Sequence, residues 1–198
     1  IIQNSPDILA LEEIDIRWVN ELGPIIRSYP YFKEISQENN FGLGLYSKLP
    51  LNDLQIKYFV VNNIPSIVGT LTFEGQNVSL IFTHTMPPGT IEHYGWRNTQ
   101  FAQIALLKPL LEKNVILLGD LNSTSWSYHF QKLKSELDLK DSREGFGLQT
   151  SWPSILPYVG ITIDHCLVSK NIAVVKRKMG PNVGSDHLPM LIKIVIQK

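Results

Sequence analysis

The chain is short of cysteine, of net charge and of long apolar runs, and each shortage narrows what it can be. Its single cysteine, Cys166, excludes an internal disulfide framework and a cysteine-rich zinc site, and its place in an apolar strand-like stretch reads as core. Lys+Arg and Asp+Glu both number 18, so no global positive field holds the chain on nucleic acid or on an anionic membrane, though a local basic patch remains open. There is no signal peptide, twin-arginine motif or run long enough to span a bilayer, which reads as a soluble unit. Internal repeats, charge runs, low-complexity tracts and evident linkers are also lacking. What is present is 198 residues, 43% of them hydrophobic, enough for one domain over residues 1–198 with a sizeable core. Ile1-Ile2 enters what reads as the middle of a fold, so that domain is expected to be N-terminally incomplete.

Turn signals and apolar periodicity divide the chain. Asn4–Asp7 is a turn, followed by a short strand over Ile8–Leu11 that ends in Glu12 and Glu13. Trp18, Val19, Leu22, Ile25 and Ile26 recur at helical spacing until Pro30. Phe41–Tyr46, Leu54–Val61, Ser66–Phe73 and Asn77–Thr83 are short runs separated by Gly, Pro and Asn, expected as successive antiparallel strands rather than βαβ units, with a hairpin at Glu74–Asn77. A loop over Met86–Gly95 leads into a helix carrying Phe101, Ile104 and Ala105 and ending near Pro109. Trp126, Phe130, Leu133 and Leu137 form another helical stripe, with Ser123, Thr124 and Ser125 available as caps, and Asp141–Pro157 is loop-like. Ile161–Val168, Ile172–Val175 and Leu188–Ile196 are the closing strands. Strands outnumber helices and arrive in clusters, so the expected class is α+β, with antiparallel-rich sheets packed face to face and a few helices outside.

The stretch that organises the rest is Asn114–Trp126. Val115–Leu118 is a continuous apolar run, the mark of a buried strand, and it stops at Gly119-Asp120 with Asn122 beyond. Residues two apart on a strand share a face, so Asp120 and Asn122 project together if the extended backbone persists, while Leu121 turns into the core. Such a carboxylate and carboxamide suit a water, a metal or a phosphate; alone, an Asx turn closing a strand explains them as well. Other chemical residues also sit at strand ends: Glu13, His84, Asp164 and the Asp186-His187 pair. Taken singly, Glu13 reads as a solvated strand end, His84 as a satisfied histidine before a turn, and Ser185-Asp186-His187 as a loop with a capping serine. His165 faces away from Asp164 and reads as core or as support behind the site. Converging on one rim, the set would hold a hard divalent cation through oxygens and leave a histidine as base.

Leu9-Ala10-Leu11-Glu12-Glu13, Thr83-His84 with Pro87, Gly119-Asp120-Leu121-Asn122, Ile163-Asp164-His165 and Gly184-Ser185-Asp186-His187-Leu188-Pro189 occur in an order and character that resemble the endonuclease/exonuclease/phosphatase superfamily. The resemblance runs from about Pro6 to Pro189. It implies a four-layered α/β/β/α sandwich of two packed, mainly antiparallel sheets with outer helices, and a Mg²⁺-dependent hydrolase, with Mn²⁺ as a possible substitute, that most often cleaves phosphodiesters by water attack. By position it implies Glu13 as the main metal ligand, with Glu12 where the family usually has glutamine, and Asp186 close to the metal. Asp120 would orient or deprotonate the water, Asn122 would hold a phosphate oxygen, and His187 would be the catalytic imidazole, oriented by Asp164. His84 matches a second histidine that donates to the phosphate or leaving group, and Arg97 would clamp phosphate unless it forms a helix-surface ion pair. The family's opening strand, with an asparagine near the metal, has no counterpart here. A gap or exposed edge in one sheet and weakened metal binding are therefore expected.

Asp141–Gly147 and Thr150–Pro153 are similar to a bacterial subgroup in which the domain follows membrane-spanning helices and faces outward. That implies a cell-envelope location for a membrane-anchored parent protein, with the cytoplasm as the alternative. The substrate is a phosphate ester: nucleic acid, phospholipid or a small phosphodiester. No obligate protein partner is evident. Zero net charge argues mildly against a processive nuclease. Trp126, Phe146 and Trp152 are candidates to stack on a base or touch lipid, with burial the expected fate of at least half of them. The alternatives to a diesterase are a phosphomonoesterase or phospholipid-directed member, and a catalytically weakened binding or scaffolding domain.

Overall fold

Alternation along the central strands builds a sandwich with two dissimilar cores. The computed structural model describes residues 1–60, 64–156 and 159–197, so Val61 and Pro157, which bound two of the expected segments, lie outside the described residues. The larger sheet has six strands in the order β4-β5-β6-β7-β9-β8. These are β4 (Leu51–Tyr58), β5 (Pro65–Phe73), β6 (Gln76–Thr83), β7 (Asn114–Asp120), β9 (Asp164–Ser169) and β8 (Leu139–Asp141). On β7, Val115 and Leu117 face one core while Ile116 and Leu118 face the other, as a period of two requires.

One core receives helices α2 (Ile91–Ala105) and α3 (Tyr128–Glu136), whose Phe101, Ile104, Phe130 and Leu133 pack on Ile81, Leu117 and Leu167. The other core is closed by a second β layer. It consists of β1 (Ile8–Glu12), β3 (Leu43–Ser47) and β2 (Tyr31–Ile35) in one sheet, and β10 (Ile172–Met179) with β11 (Met190–Ile196) in another. Leu43, Leu45, Ile192 and Ile194 from this layer pack against Ile67, Leu80, Phe82 and Ile116. Outside it, α1 (Ile16–Ile26) brings Ile26 onto Leu9, Tyr29 and Tyr46. The order helix, sheet, sheet, helix is the α/β/β/α sandwich expected from the resemblance, with the second layer divided into two sheets.

Several local expectations differ from the structure. The segment over Ile91–Gly95, read as loop, already belongs to α2, because Thr90 caps it by accepting from the His93 N–H. That helix connects β6 to β7, which pair in parallel, so a single crossover interrupts an otherwise antiparallel fold. Strand β2 (Tyr31–Ile35) does not alternate and β8 has three residues with one apolar, so neither stands out in sequence. Ser127, not Ser123–Ser125, holds the N-cap position of helix α3, without a side-chain hydrogen bond, and Trp126 precedes it and is 69% exposed. Of the three candidate stacking aromatics, Trp152 is also exposed and Phe146 is half-buried, so burial is not their main fate.

Leu117 is fully buried at the centre of the helix-side core. Leu117→Ala is expected to cost about 2–5 kcal/mol through lost transfer energy and a residual cavity, measured as a lower midpoint in urea unfolding.

Candidate functional site

The end of β7 is shaped by a residue with no side chain. Gly119 has φ +136, and a Cβ there would stand 2.0 Å from the Thr83 carbonyl oxygen. Glycine therefore lets β7 press against the end of β6, where Thr83 leads into His84. Beyond it the strand stops at Asp120, and Asn122 turns into the left-handed region with φ 45. The pleat thus does not carry Asp120 and Asn122 to a common face; the turn does. Leu121 is fully buried, as expected, and the Asn122 N–H donates to Asp120 Oδ1 at 2.7 Å. The Asx turn and the functional pair are the same structure.

Other bonds fix this corner. The Asn122 side-chain amide donates to the Thr85 carbonyl at 2.8 Å, and the Thr85 N–H donates to the Asp120 carbonyl at 3.0 Å. The Asp120 N–H donates to Glu12 Oε1 at 2.8 Å, a bridge from β7 to β1 across the two layers. Asp120 lies opposite Asp164 in the antiparallel pairing of β7 with β9. Like charges in that position repel.

The residues before β11 complete the cluster. His187 Nδ1 donates to Asp164 Oδ2 at 2.7 Å, and its Nε2 lies 3.9 Å from Asp120 Oδ2. His84 Nε2 approaches the same oxygen at 3.6 Å, with its ring against Phe41. Glu13, with φ 57, holds a left-handed backbone that costs a non-glycine residue about 1–3 kcal/mol. Asp186 is exposed and accepts from the Trp152 indole N–H at 3.2 Å. The structure therefore brings His84, Asp120, Asn122, Asp164 and His187 into one cleft. Glu13 and Asp186 sit on its rim, where the Asp186 charge bears on Glu13.

Arg97 lies elsewhere. Its guanidinium is buried behind the cleft, donating from Nη1 to the Asn122 carbonyl at 2.8 Å and from Nη2 to the Asn98 side chain at 3.0 Å, and it lies over the Tyr94 ring. It braces Asn122 and forms no surface ion pair. His165 is fully buried, with Nε2 2.8 Å from the Ser123 carbonyl, in keeping with support behind the site.

Sequence reasoning missed the part played by Ser151–Ser154. Ser151 Oγ accepts from the Ile163 and Asp164 N–H groups, and its carbonyl accepts from the Leu188 N–H. The Ser154 N–H donates to the Asp186 carbonyl. One short segment thus ties Asp164 to the His187 loop. The only sequence signal was the charge-free Thr150–Pro153 stretch beside Asp164.

Burial and mutual repulsion set the electrostatics. Desolvation, then the Asp164 charge, pushes the Asp120 carboxyl up to about 7. Desolvation and the charges of Asp120 and Asp164 hold Glu12 well above the usual range, and Glu13 is raised by burial and by Asp186. His84 is lowered to about 4 by burial and by the His187 charge, so it is neutral near pH 7. Burial would lower His187 too, but its bond to Asp164 and the charges of Asp164, Asp120 and Asp186 prevail and raise it to about 9.

A hard divalent cation would relieve this surplus of carboxylates. Among the described residues no three of His, Cys, Asp and Glu form a ready-made metal cluster. The oxygen-rich donors nevertheless fit a small cation such as Mg²⁺, which commonly takes one or two carboxylates and keeps several waters.

A two-layered sandwich with such a cleft at its rim is the architecture of a metal-assisted phosphoesterase. Residues 1–187 match the Endonuclease/Exonuclease/phosphatase family, and the chain belongs to it. Membership places it among hydrolases that act on phosphoester bonds, a generally divalent-metal-dependent group. Solved structures share the fold. D. rerio TDP2 complexed with single strand DNA product is 18% identical, with 98% of this chain and 88% of that chain covered and a TM-score of 0.80. The human Nocturnin catalytic domain with bound sulfate anion is 19% identical, with 98% and 83% covered and a TM-score of 0.77. An endonuclease/exonuclease/phosphatase family protein from Bacteroides thetaiotaomicron is 16% identical, with 100% and 86% covered and a TM-score of 0.78. No curated protein matches the chain in sequence.

The raised His187 has a consequence for stability. Its folded value of about 9 lies above the ordinary 6.5, so its charge contributes stability that is fully present below 6.5 and lost as the pH rises through about 9. The fall in thermal midpoint caused by His187→Ala is expected to be greatest below pH 6.5 and to vanish above about pH 9, measured by calorimetry across that range without added metal.

Proposed function

We propose that the chain is a Mg²⁺-dependent phosphodiesterase that hydrolyses its substrate by water attack at phosphorus. The observation that carries this reading is the linkage at the end of β7, where His187 joins Asp164 at 2.7 Å and faces Asp120 while Asn122 is pinned beside them. Glu13 and Asp186 are the residues that would hold the ion, with Mn²⁺ able to substitute. When bound there, the ion supplies positive charge to the phosphoryl oxygens.

The chain's own groups do the rest. Asp120, raised to about 7, is poised to take a proton from the attacking water near neutral pH. Asn122 uses one amide hydrogen on Thr85 and has a second to offer a phosphate oxygen. His187, raised to about 9, is cationic; Asp164 holds its Nδ1–H and leaves Nε2–H to stabilise charge on the phosphoryl group or leaving oxygen. Neutral His84 donates to the same region. Arg97 acts through Asn122, as a positioning residue, in place of a direct phosphate clamp.

Single-stranded nucleic acid is one candidate substrate, supported by the TDP2 complex, and the balanced charge favours a short phosphodiester or a phospholipid head group over an extended duplex. The likeness of Asp141–Gly147 and Thr150–Pro153 to an outward-facing bacterial subgroup supports a cell-envelope location. Among the described residues no helix is long and apolar enough to cross a membrane. A second reading, a domain that binds phosphoesters without turnover, is favoured by Glu12, which adds a carboxyl that bonds the Asp120 N–H and feels the charges of Asp120 and Asp164.

Asp120→Ala and His187→Ala are each expected to lower turnover of an aryl phosphodiester by about 10²–10⁴-fold while circular dichroism stays native. Chelation should stop the wild type, with Mg²⁺ or Mn²⁺ restoring it. Near-normal metal-dependent hydrolysis in both variants would sink the mechanism, and no hydrolysis by the wild type with either ion would favour the binding reading.

A further inference from the structure

Beside the catalytic histidine the chain exposes a patch that its own core does not use. Residues 145–163 contain no Asp, Glu, Lys or Arg. Within them Trp152 bridges to Ile161, narrowing the segment to a neck, beyond which the Leu156 N–H donates to the Pro153 carbonyl and the Val159 N–H to the Leu156 carbonyl. Outside that neck Ile155 is 77% exposed and Val159 76%, with Leu156 also exposed. Val183, 69% exposed, joins them from the loop between β10 and β11. The two loops are bonded together: Asn182 Nδ2 donates to Ser154 Oγ, which donates to the Ser185 carbonyl. The aliphatic tip is thus fixed to the loop that carries His187.

The hairpin that leads into this loop carries one sign of charge on its strands. Between residues 170 and 198 the only acid is Asp186, against Lys170, Lys176, Arg177, Lys178, Lys193 and Lys198, in a chain that is neutral overall. Arg177 is buried, but Lys176 and Lys178 share the outer face of β10, and Lys193 stands opposite Lys176 on β11. Three exposed lysines on one hairpin face repel one another unless an anionic surface lies against them. That hairpin runs straight into the loop bonded to the tip.

We propose that this tip and the lysine face of β10–β11 form a docking element for an anionic phospholipid surface, with Ile155, Leu156, Val159 and Val183 entering the interface and Lys176, Lys178 and Lys193 meeting the head groups. A handful of aliphatic side chains is too small a patch for a stable protein interface, which buries roughly 1,200–2,000 Å² and has a polar rim. The same few side chains suffice for reversible attachment to a bilayer when lysines add their attraction. Docking would set the cleft against the head-group layer, a consequence that rests on the phosphodiesterase reading; the docking itself does not.

The test is flotation of the purified chain, without substrate, on vesicles of phosphatidylcholine alone and of phosphatidylcholine mixed with phosphatidylserine. The wild type should float with the mixed vesicles and much less with phosphatidylcholine. The double substitution Ile155→Glu/Val159→Glu should cut binding by on the order of tenfold or more. Lys176→Glu/Lys178→Glu should remove the preference for phosphatidylserine, a loss of about fivefold per lysine. Both double variants alter exposed positions and should keep the wild-type thermal midpoint. His187→Ala should float like the wild type, so that loss of hydrolysis and loss of docking are separate results. Absence of flotation on the mixed vesicles, or flotation that survives Ile155→Glu/Val159→Glu, overturns the proposal. So does lipid-free self-association that the same variant abolishes, which would make the tip a contact between copies of the chain.

Discussion

Everything at the cleft follows from placing two acids across one rung of a β-ladder. Asp120 and Asp164 face each other at the end of β7 and β9, and the Glu12 carboxyl approaches from the opposite layer. In water such a set would separate. Here the backbone forbids it: Gly119 lets β7 close on Thr83, Asn122 clasps Asp120 through its N–H, and Ser151 Oγ secures the Asp164 backbone. Burial and then the Asp164 charge lift Asp120 to about 7, while against its own burial the bond to Asp164 and the acids' attraction raise His187, so one constraint produces both a poised acceptor and a cation.

That constraint also explains the polar contacts behind the cleft. A loop that turns into left-handed conformation at Asn122 tends to relax, and its carbonyls need partners. Arg97 takes the Asn122 carbonyl, His165 the Ser123 carbonyl, and Arg143 donates to Ser125 Oγ. Asp141 Oδ2 stands 3.8 Å from His165 Nδ1 and 3.7 Å from Arg143 Nε, a shared contact behind the loop. The burial of Arg97 and His165 is therefore part of how the site is held, although neither reaches into it.

Sequence made the sandwich and the cleft legible to different depths. The apolar run at Val115–Leu118 and the alternation at Asn77–Thr83 announced the strands that form the middle of the larger sheet, because burial on both faces leaves so little room for polar residues. Tyr31–Ile35 and Leu139–Asp141 did not announce themselves: one is an edge strand without alternation, the other only three residues long. The residues at strand ends were readable because their chemistry is specific. Arg97 was readable as a site residue but not as a brace, since a helix position gives no sign of which way a long side chain folds. Ser151 and Trp152 were invisible as supports because their bonds reach Asp164, Asp186 and Leu188 across the fold, with no local pattern.

The bridge from Asp120 to Glu12 joins the two layers of the sandwich, and so does the site as a whole. Asp120 and Asp164 belong to the larger sheet, with His84 and Asn122 just beyond its strands; Glu12 ends β1 of the three-stranded sheet, with Glu13 next to it, and Asp186 and His187 lie in the loop that joins the two-stranded sheet. Neither half is a lesser version of the other, and neither holds a complete set of chemical groups. The cleft exists only as a seam, complete only where the layers are in register. A slip of one layer by a single rung would leave every element folded and still dismantle the chemistry, which makes the alignment of the layers itself a heritable trait of the sequence.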